Sequence, residues 1–221
     1  TAVDASILSP LLRRRTSNAT RVAISAAGRA CAAAGGNHKL PAIFVSSVGE
    51  MQVTDQLCRS ITRREFPLSP TLFHNSVHNT AAGYWSMATG SMASMQAMGA
   101  LDDGLALGLL EAWCQLQTVT EQVLLVVFDE TLPVQLLPDY AWQTCAFALV
   151  LGQEVHGYPW LHRPFQSTAP DPEMTVMAFP ARNPAMACLP LFQALQQAAG
   201  GKRQIALSPG ARPWRVDMVI P

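Results

Sequence analysis

Apolar and polar positions along the chain follow two different periods, and each period predicts one kind of element. Short uninterrupted apolar runs bounded by turn residues predict buried strands, which we place at residues 40–46, 122–129, 141–152, 174–179 and 214–220. Apolar residues spaced three and four apart predict helices, which we place at residues 19–34, 50–64, 69–88, 104–117 and 185–199. Because helices alternate with buried strands, the pattern predicts an α/β fold with a mixed, mostly buried sheet.

Capping and turn residues set the boundaries of these helices. Asn18 is expected to cap the first helix, and the glycines that begin at Gly35 are expected to end it. A turn at Ser69 precedes the third helix, which we extend to about residue 88. Asp102 and Asp103 stand where the N-cap of the fourth helix is expected, although they could instead form an acidic edge.

The length of 221 residues predicts a single domain covering residues 1–221. Residues 1–17 are expected to form an irregular N-terminal arm, because a proline and a basic run delay regular structure. Residues 153–221 form a proline-rich, divergent C-terminal part, in which seven prolines between positions 159 and 190 divide the chain into short pieces.

The composition is apolar for a protein of this size. Hydrophobic residues make up 49% and charged residues 14%, whereas charged residues are usually roughly 25% of a soluble domain. Two interpretations are open: a partner protein covers part of the surface, or the core is simply large and rich in alanine. The formal net charge is +0 and the one basic run, at residues 13–15, is short, so a nucleic-acid partner is not expected.

The five cysteines are odd in number, widely spaced and without a C-x-x-C pair, which favours reduced thiols in a cytoplasmic protein and no zinc site. Cys31 lies in the last turns of a predicted helix, whereas an activated cysteine usually lies at a helix N-terminus. No catalytic role is therefore expected for it. No apolar run approaches about 18 residues and the chain does not start with an apolar leader, so neither a membrane span nor a signal peptide is expected.

His74 and His78 are four residues apart on one predicted helix and therefore share a face. A metal site can use this spacing, but there is no H-E-x-x-H pattern and no evident third ligand. We expect a hydrogen-bonded core or interface pair and no metal site. Ser76 would point away from His78 on a helix, which makes a local Ser/His pair geometrically poor.

Residues 69–112 resemble the N-terminal half of β-ketoacyl-acyl-carrier-protein synthases, which have the thiolase-like fold. That family carries a helix with a pattern like N-x-x-A-G-x-x-(S/T)-I-x-x-G, and residues 79–90 here are N-T-A-A-G-Y-W-S-M-A-T-G. Residues 93–99 match the strand that follows, and residues 104–108 match the buried helix behind the nucleophile turn. The resemblance implies a thiolase-like α/β fold truncated to mainly the N-terminal half.

In the family this strand leads to a nucleophilic cysteine at a helix N-terminus. Here that position falls at about Leu101 or Asp102, and no cysteine lies between Cys58 and Cys114. Neither leucine nor aspartate can hold an acyl chain as a thioester. The resemblance therefore implies that the chain has no catalytic residue, needs no cofactor and has no synthase activity alone.

Residues 76–90 and 100–112 resemble more closely the short ketosynthase-like proteins found with aryl polyene and related type II polyketide systems. There such a subunit acts as a chain length factor beside a true ketosynthase. The resemblance implies a cytoplasmic heterodimer with a full-length β-ketoacyl-acyl-carrier-protein synthase. The subunit would help to set the acyl chain length in polyene, polyketide or fatty-acid-like biosynthesis, and would meet the acyl carrier protein only indirectly.

The same resemblance assigns two sets of surface residues. The set that closes the acyl tunnel of the partner comprises Leu72, Phe73, Ser76 and Val77. The set at the dimer interface comprises His74, His78, Met92, Met95, Gln96 and Met98. An exposed, uncharged strand edge is an aggregation hazard unless it is paired, and a heterodimer would cover this one.

Two other functions stay open at the level of the sequence. The chain could be an independent enzyme that processes acyl thioesters at a rebuilt site containing His74, His78 and Asp102. Alternatively, it could be a structural scaffold that has no influence on product length.

Overall fold

The computed structural model describes residues 3–118, 120–140, 142–153, 157–168, 179, 181–196 and 200–221. The helices are α1 (Pro10–Arg15), α2 (Asn18–Ala33), α3 (Met51–Thr62), α4 (Pro70–Asn75), α5 (Thr80–Thr89), α6 (Gly104–Thr118) and α7 (Leu189–Gln196). The strands are β1 (Ala42–Val45), β2 (Met95–Met98), β3 (Gln122–Asp129), β4 (Cys145–Gly152), β5 (Trp160–Leu161), β6 (Phe165–Gln166), β7 (Gly201–Ala206) and β8 (Trp214–Ile220). Short 3-10 turns lie at Leu101–Asp103 and Pro184–Cys188.

The main sheet has the strand order β2-β1-β3-β4. β1 runs parallel to both β2 and β3, while β4 is antiparallel to β3. β3 is buried at every position after Gln122, as its run of valine and leucine predicts for a strand covered on both faces. The predicted mixed sheet is confirmed, although only β1 and β3 are buried, while β2 and β4 are half-buried. β1, β3 and β4 confirm three of the five predicted strands.

Alternate residues of β1 serve two different cores. Ala42 and Phe44 pack in a core with α2 and α5, whereas Ile43 and Val45 pack in a core with α6, α7, β7 and β8. Gly108 lets α6 approach the sheet closely, because a Cβ at this position would lie 2.8 Å from Val45 Cγ2. Helices and the second sheet thus cover the two faces of the main sheet.

A second sheet forms in the C-terminal part, where β8 pairs antiparallel with β5, β6 and β7. β8 confirms the strand predicted at residues 214–220. β5 and β6 were not predicted because they have two residues each, and β7 was not predicted because it begins with the polar sequence G-K-R-Q. The strand predicted at residues 174–179 lies outside the described residues apart from Phe179.

The prediction of one helix at residues 69–88 is wrong, because the chain forms α4 and α5 with a break at residues 76–79. Asn75 is buried and fixes this break. Its Nδ2 donates to the backbone oxygen of Arg15 at 2.5 Å, and its Oδ1 accepts from the Tyr84 hydroxyl at 3.1 Å. A buried amide with two partners outside its own helix stabilises the chain at the point where the helix breaks.

Three boundaries also differ from the prediction. Ser17, and not Asn18, caps α2, since its side chain accepts from the Thr20 amide at 2.9 Å. The arm at residues 1–17 is not wholly irregular, because Pro10 occupies the first turn of α1. The helix predicted at residues 185–199 is a 3-10 turn followed by α7, and residues 197–199 lie outside the described part. None of the described helices combines the length and apolarity that a membrane span requires.

Candidate functional site

The turn between β2 and α6 holds a backbone outlier at a leucine. Leu101 has φ 45°, in the left-handed region that L-residues with bulky side chains avoid. Its side chain is 49% exposed, and its backbone oxygen accepts from Ser47 Oγ at 3.1 Å. Strained residues that the surrounding structure holds in place are typical of functional turns, so this turn is the first place to look for a site.

Asp102 follows the outlier and ties the turn to the C-terminal part. Both of its carboxylate oxygens accept from the backbone N–H of Phe179, at 2.9 and 3.1 Å. The Phe179 ring packs edge-on against Trp142 with 5.6 Å between the ring centroids. The expectation that Asp102 caps α6 is therefore wrong, since the helix begins at Gly104 and the carboxylate bonds to a distant segment.

Arg182 lies near this turn. Its Nε and Nη2 atoms are buried without a hydrogen-bond partner among the described residues. Burial lowers the pKa of the Arg182 guanidinium, while the negative charge of Asp102 acts in the opposite direction. The next residue, Asn183, ties the same segment to the main sheet. Its Nδ2 donates to the backbone oxygens of Asp129 and Gln143 at 3.1 and 2.9 Å.

The two candidate histidines do not share a helix face. His74 is on α4 with its ring against Tyr84 at a centroid distance of 6.0 Å. His78 lies in the break before α5, where its Nε2 is 2.9 Å from the backbone oxygen of Ser46. A Cβ on Gly99 would lie 3.2 Å from the same nitrogen, so His78 packs directly against the end of β2.

The histidines and Asp102 therefore contact three different partners, and these contacts do not bring them into one catalytic arrangement. No group of three or more His, Cys, Asp or Glu residues suited to a metal ion occurs within the described ranges.

A buried carboxylate closes the neighbouring turn after β1. Asp129 accepts from Ser46 Oγ at 2.6 Å, from the Ser47 amide at 2.9 Å and from the Val48 amide at 3.2 Å. Burial raises the pKa of Asp129, and these hydrogen bonds act in the opposite direction. Ser46 Oγ also accepts from the Gly49 amide at 2.8 Å, so this hydroxyl is committed to structure and is not available as a nucleophile.

A pair of buried acidic residues, Glu130 and Glu50, lies beside Asp129. Glu130 Oε1 accepts from the Gln52 amide at 3.0 Å, at the start of α3. Burial, with the charge of Glu50 adding to it, raises the pKa of Glu130 to about 7. Glu50 Oε1 accepts from Thr20 Oγ1 at 2.6 Å, while its Oε2 is buried without a partner among the described residues. Burial raises the pKa of Glu50 as well.

The sequence analysis missed this acidic group, although a signal was present. Asp129 and Glu130 end a buried strand, and Ser46 ends the strand next to it. The carboxyl ends of parallel strands meet at one edge of a sheet, which is where polar side chains converge. A cavity of about 320 Å³ opens beside Glu130 and is lined by Ser17, Asn18, Gln52, Val53, Gln56, Thr131 and Thr144.

Three of the five thiols lie in environments that disfavour a nucleophile. All five cysteines are free, and Cys31 and Cys188 are fully buried. Burial raises the pKa of Cys31 to about 11 and that of Cys145 to about 12, and that of Cys188 further still. These thiols are protonated at neutral pH and are therefore poor nucleophiles. The expectation that Cys31 is not catalytic agrees with this environment.

The residues assigned to a partner surface are largely accessible. Met92 is 98% exposed, Phe73 is 65% exposed and Val77 is also exposed. Both histidines are exposed as well, whereas Leu72 and Ser76 are half-buried, as is all of β2 with Met95, Gln96 and Met98. In the described part of the chain, β2 pairs only with β1 and leaves its other edge free.

Comparison with known proteins gives the class to which this fold and this turn belong. The sequence-family model of the β-ketoacyl synthase N-terminal domain matches residues 1–215. The chain belongs to this family. The thiolase-like ketosynthase fold is thereby confirmed.

Similar solved structures come from ketosynthase complexes. One is a ketosynthase (ApeO) in complex with its chain length factor (ApeC) from Xenorhabdus doucetiae, with a TM-score of 0.74, 20% identity and coverage of 96% of this chain and 82% of that one. Another is a type II polyketide acyl-carrier protein in complex with its ketosynthase (AntDE:AntF), with a TM-score of 0.76, 12% identity and coverage of 100% and 89%. The ishigamide ketosynthase/chain length factor has a TM-score of 0.57 at 16% identity, with coverage of 69% and 48%.

No curated protein sequence matches the chain. At such low identities the structural likeness establishes the fold, while the role of the chain has to be argued from its own residues.

Proposed function

We propose that the chain is a non-catalytic, ketosynthase-like subunit, a chain length factor, that forms a heterodimer with a full-length β-ketoacyl-acyl-carrier-protein synthase. In this proposal it stabilises the synthase and helps to set the length of the acyl chain. The observation that carries the proposal is the left-handed Leu101 between an edge strand and the buried helix α6. The family resemblance puts a nucleophile at about this position, and a leucine side chain cannot supply one.

The neighbours of Leu101 do not supply the missing chemistry either. Asp102 is engaged with the amide of Phe179, and Asp129 already accepts from three donors of the turn after β1. Leu101 has the left-handed conformation in this turn, while the carboxylate of Asp102 beside it bonds to a distant segment of the chain. This supports a subunit that acts through its partner.

The free edge of β2 supports heterodimer formation. The backbone oxygens of Ser94 and Met98 accept from amides at the two ends of β1, so even-numbered residues of β2 face β1. The N–H and C=O groups of Met95 and Ala97 then point to the free edge. Because unpaired edges invite pairing with another strand, we propose that the corresponding edge strand of the synthase pairs here.

The exposed face of α4 supports the role in chain length. Leu72, Phe73, Ser76 and Val77 lie on α4 and in the break after it, and Phe73 and Val77 have no described partner that buries them. We propose that these side chains reach into the acyl tunnel of the synthase, where their bulk limits chain growth. The same proposal places the subunit in the cytoplasm, in a polyene, polyketide or fatty-acid-like pathway. Within this group, the sequence resemblance suggests aryl polyene synthesis.

The length of the product tests this role. The heterodimer is reconstituted with a carrier protein and malonyl building blocks, and released chains are measured by mass spectrometry. Phe73→Ala should lengthen the product, because it removes a large side chain from the tunnel. Val134→Ala is the matched control, since Val134 is equally exposed but lies on the β3–β4 loop. Unchanged length with Phe73→Ala would reject the tunnel assignment, and longer products with Val134→Ala as well would show that the effect is not specific.

A further inference from the structure

The side chain of His78 joins the break between α4 and α5 to the carboxyl-terminal edge of the main sheet. Its Nε2 is 2.9 Å from the backbone oxygen of Ser46, the first residue after β1. A carbonyl oxygen only accepts hydrogen bonds, so Nε2 carries the hydrogen and donates it. This hydrogen bond therefore sets the tautomer of a neutral His78 and the direction of its ring.

Two glycines make room for the ring of His78. A Cβ on Gly49 would lie 3.1 Å from His78 Cδ2, and a Cβ on Gly99 would lie 3.2 Å from His78 Nε2. Both distances are shorter than an ordinary van der Waals contact. Gly49 also has φ 62°, which a residue with a side chain rarely adopts. The edge of the ring that carries Nε2 is thus packed between the turns after β1 and β2.

The backbone of Ser46 also bonds to the edge strand. Its N–H donates to the backbone oxygen of Met98 at 3.0 Å, at the end of β2. Its Oγ donates to the buried carboxylate of Asp129 at 2.6 Å. Ser46 is buried and held by both bonds. It therefore forms a rigid link between His78 and the strand whose free edge we assign to pairing.

Val77 is bonded directly to this anchored residue. The Val77 backbone oxygen accepts from Thr80 Oγ1 at 2.7 Å, at the start of α5, while its side chain is 46% exposed. Because the peptide bond between Val77 and His78 is planar and stiff, the anchor at His78 limits where Val77 can lie relative to β2.

We propose that His78 is a positioning residue for chain length. Its hydrogen bond to Ser46 fixes the distance from Val77 to the free edge of β2, and so the depth to which Val77 reaches into the acyl tunnel of the synthase. The inference rests on the proposed function, which assigns Val77 to the tunnel and β2 to pairing. It goes beyond that function, because it gives His78 an effect on product length without contact to the acyl chain.

Substitution of His78 in the reconstituted heterodimer tests the proposal. His78→Met keeps a side chain of similar length but removes the N–H donor, whereas His78→Gln keeps a donor that reaches nearly the same place. His38→Met is the matched control, because His38 precedes β1, at the opposite end of that strand, and its ring packs against Trp85. Released chains are measured by mass spectrometry, and the Kd of each heterodimer is measured by calorimetry.

We expect His78→Met to raise the ratio of longer to parental chains by about fivefold, the order that one net hydrogen bond contributes. The reason is that an unanchored Val77 can yield to the growing chain. His78→Gln and His38→Met should keep the parental ratio. A merely structural role of His78 would raise the Kd of His78→Met and leave the ratio of the products unchanged. An unchanged ratio in His78→Met, or an equal rise in His78→Gln, would overturn the proposal.

Gly99→Ala disturbs the same contact from the other side, and it decides the question if His78→Met forms no heterodimer. The added methyl group would lie 3.2 Å from both His78 Nε2 and the Ser46 oxygen, so it should displace the ring and give longer products. Gly83→Ala is its matched control, because a Cβ there would have no described atom within 4 Å. Parental length with Gly99→Ala would overturn the proposal.

Phe73→Ala, measured in the same series, separates this inference from the proposed function. Longer products with Phe73→Ala but not with the His78→Met and Gly99→Ala variants would reject the positioning role alone. Parental length with all three variants would contradict the role in chain length as well.

Discussion

The turns after β1 and β2 follow neighbouring strands, but only the turn after β1 is closed by hydrogen bonds to a buried carboxylate. After β1, Ser46 and the two amides that follow it all donate to the buried carboxylate of Asp129. After β2, Leu101 is held in a left-handed conformation with half of its side chain exposed, next to a strand edge that is unpaired among the described residues. The first turn contributes to the stability of the fold, and the second is where we propose that association occurs. Variants at the two turns should therefore separate folding from pairing.

Asp129→Ala should give the largest effect, because it leaves several buried donors unpaired at once. We expect a loss of about 3 kcal/mol in the free energy of unfolding, since each buried unpaired donor costs about 1–3 kcal/mol. Urea unfolding of the heterodimer measures it, with Asp139→Ala as control because Asp139 is exposed. A loss below about 1 kcal/mol would mean that the turn after β1 is held by something other than this carboxylate.

Ala97→Pro should show the opposite behaviour, with weaker pairing and nearly unchanged folding. The Ala97 N–H points to the free edge, and proline is tolerated at such edge positions because no internal hydrogen bond is lost. We expect the Kd of the heterodimer to rise by about tenfold, which corresponds to about 1.4 kcal/mol.

Gln96→Pro is the matched control for this variant, because the Gln96 backbone faces β1. It should lower the free energy of unfolding as well as the affinity. An Ala97→Pro variant that pairs as tightly as the parent would show that the edge of β2 is not part of the interface.

The acidic pair predicts how stability changes with pH. The pKa of Glu130 is raised from 4.5 to about 7 in the folded chain, so the folded state binds this proton more tightly than the unfolded state does. The contribution to stability is complete below pH 4.5, falls as the pH rises through about 7 and is then lost. Glu130→Gln should therefore flatten the dependence of Tm on pH between 5 and 8, relative to the exposed control Glu65→Gln. An equally steep dependence in Glu130→Gln would assign the slope to other groups.

The sequence predicted most of the main sheet because its strands are uninterrupted apolar runs, and β3 begins and ends where the pattern placed it. It failed at residues 76–79, where the helix period continues but the buried amide of Asn75 finds tertiary partners that no local pattern shows. The site was predicted only in part for a similar reason. The absence of a cysteine near Leu101 is visible in the sequence, whereas the bonds of Asp102 to Phe179 join residues 77 positions apart.

The smallest effect is expected at Leu101 itself. A glycine adopts positive φ without steric cost, whereas a β-branched residue in the left-handed region is strongly disfavoured. Leu101→Gly should therefore be more stable than Leu101→Val by about 1 kcal/mol. Equal stability of the two variants in thermal unfolding would argue against the left-handed conformation at this turn.

The central claim is that this chain exists to pair with a ketosynthase, and the mass of the co-expressed complex tests it most directly. The chain is produced together with a full-length ketosynthase of an aryl polyene type system, purified through a tag on the synthase alone, and examined by native mass spectrometry. We predict a complex that contains one copy of each chain, which Ala97→Pro weakens. A synthase homodimer recovered without this chain, while the chain remains a well-behaved monomer, would contradict the account.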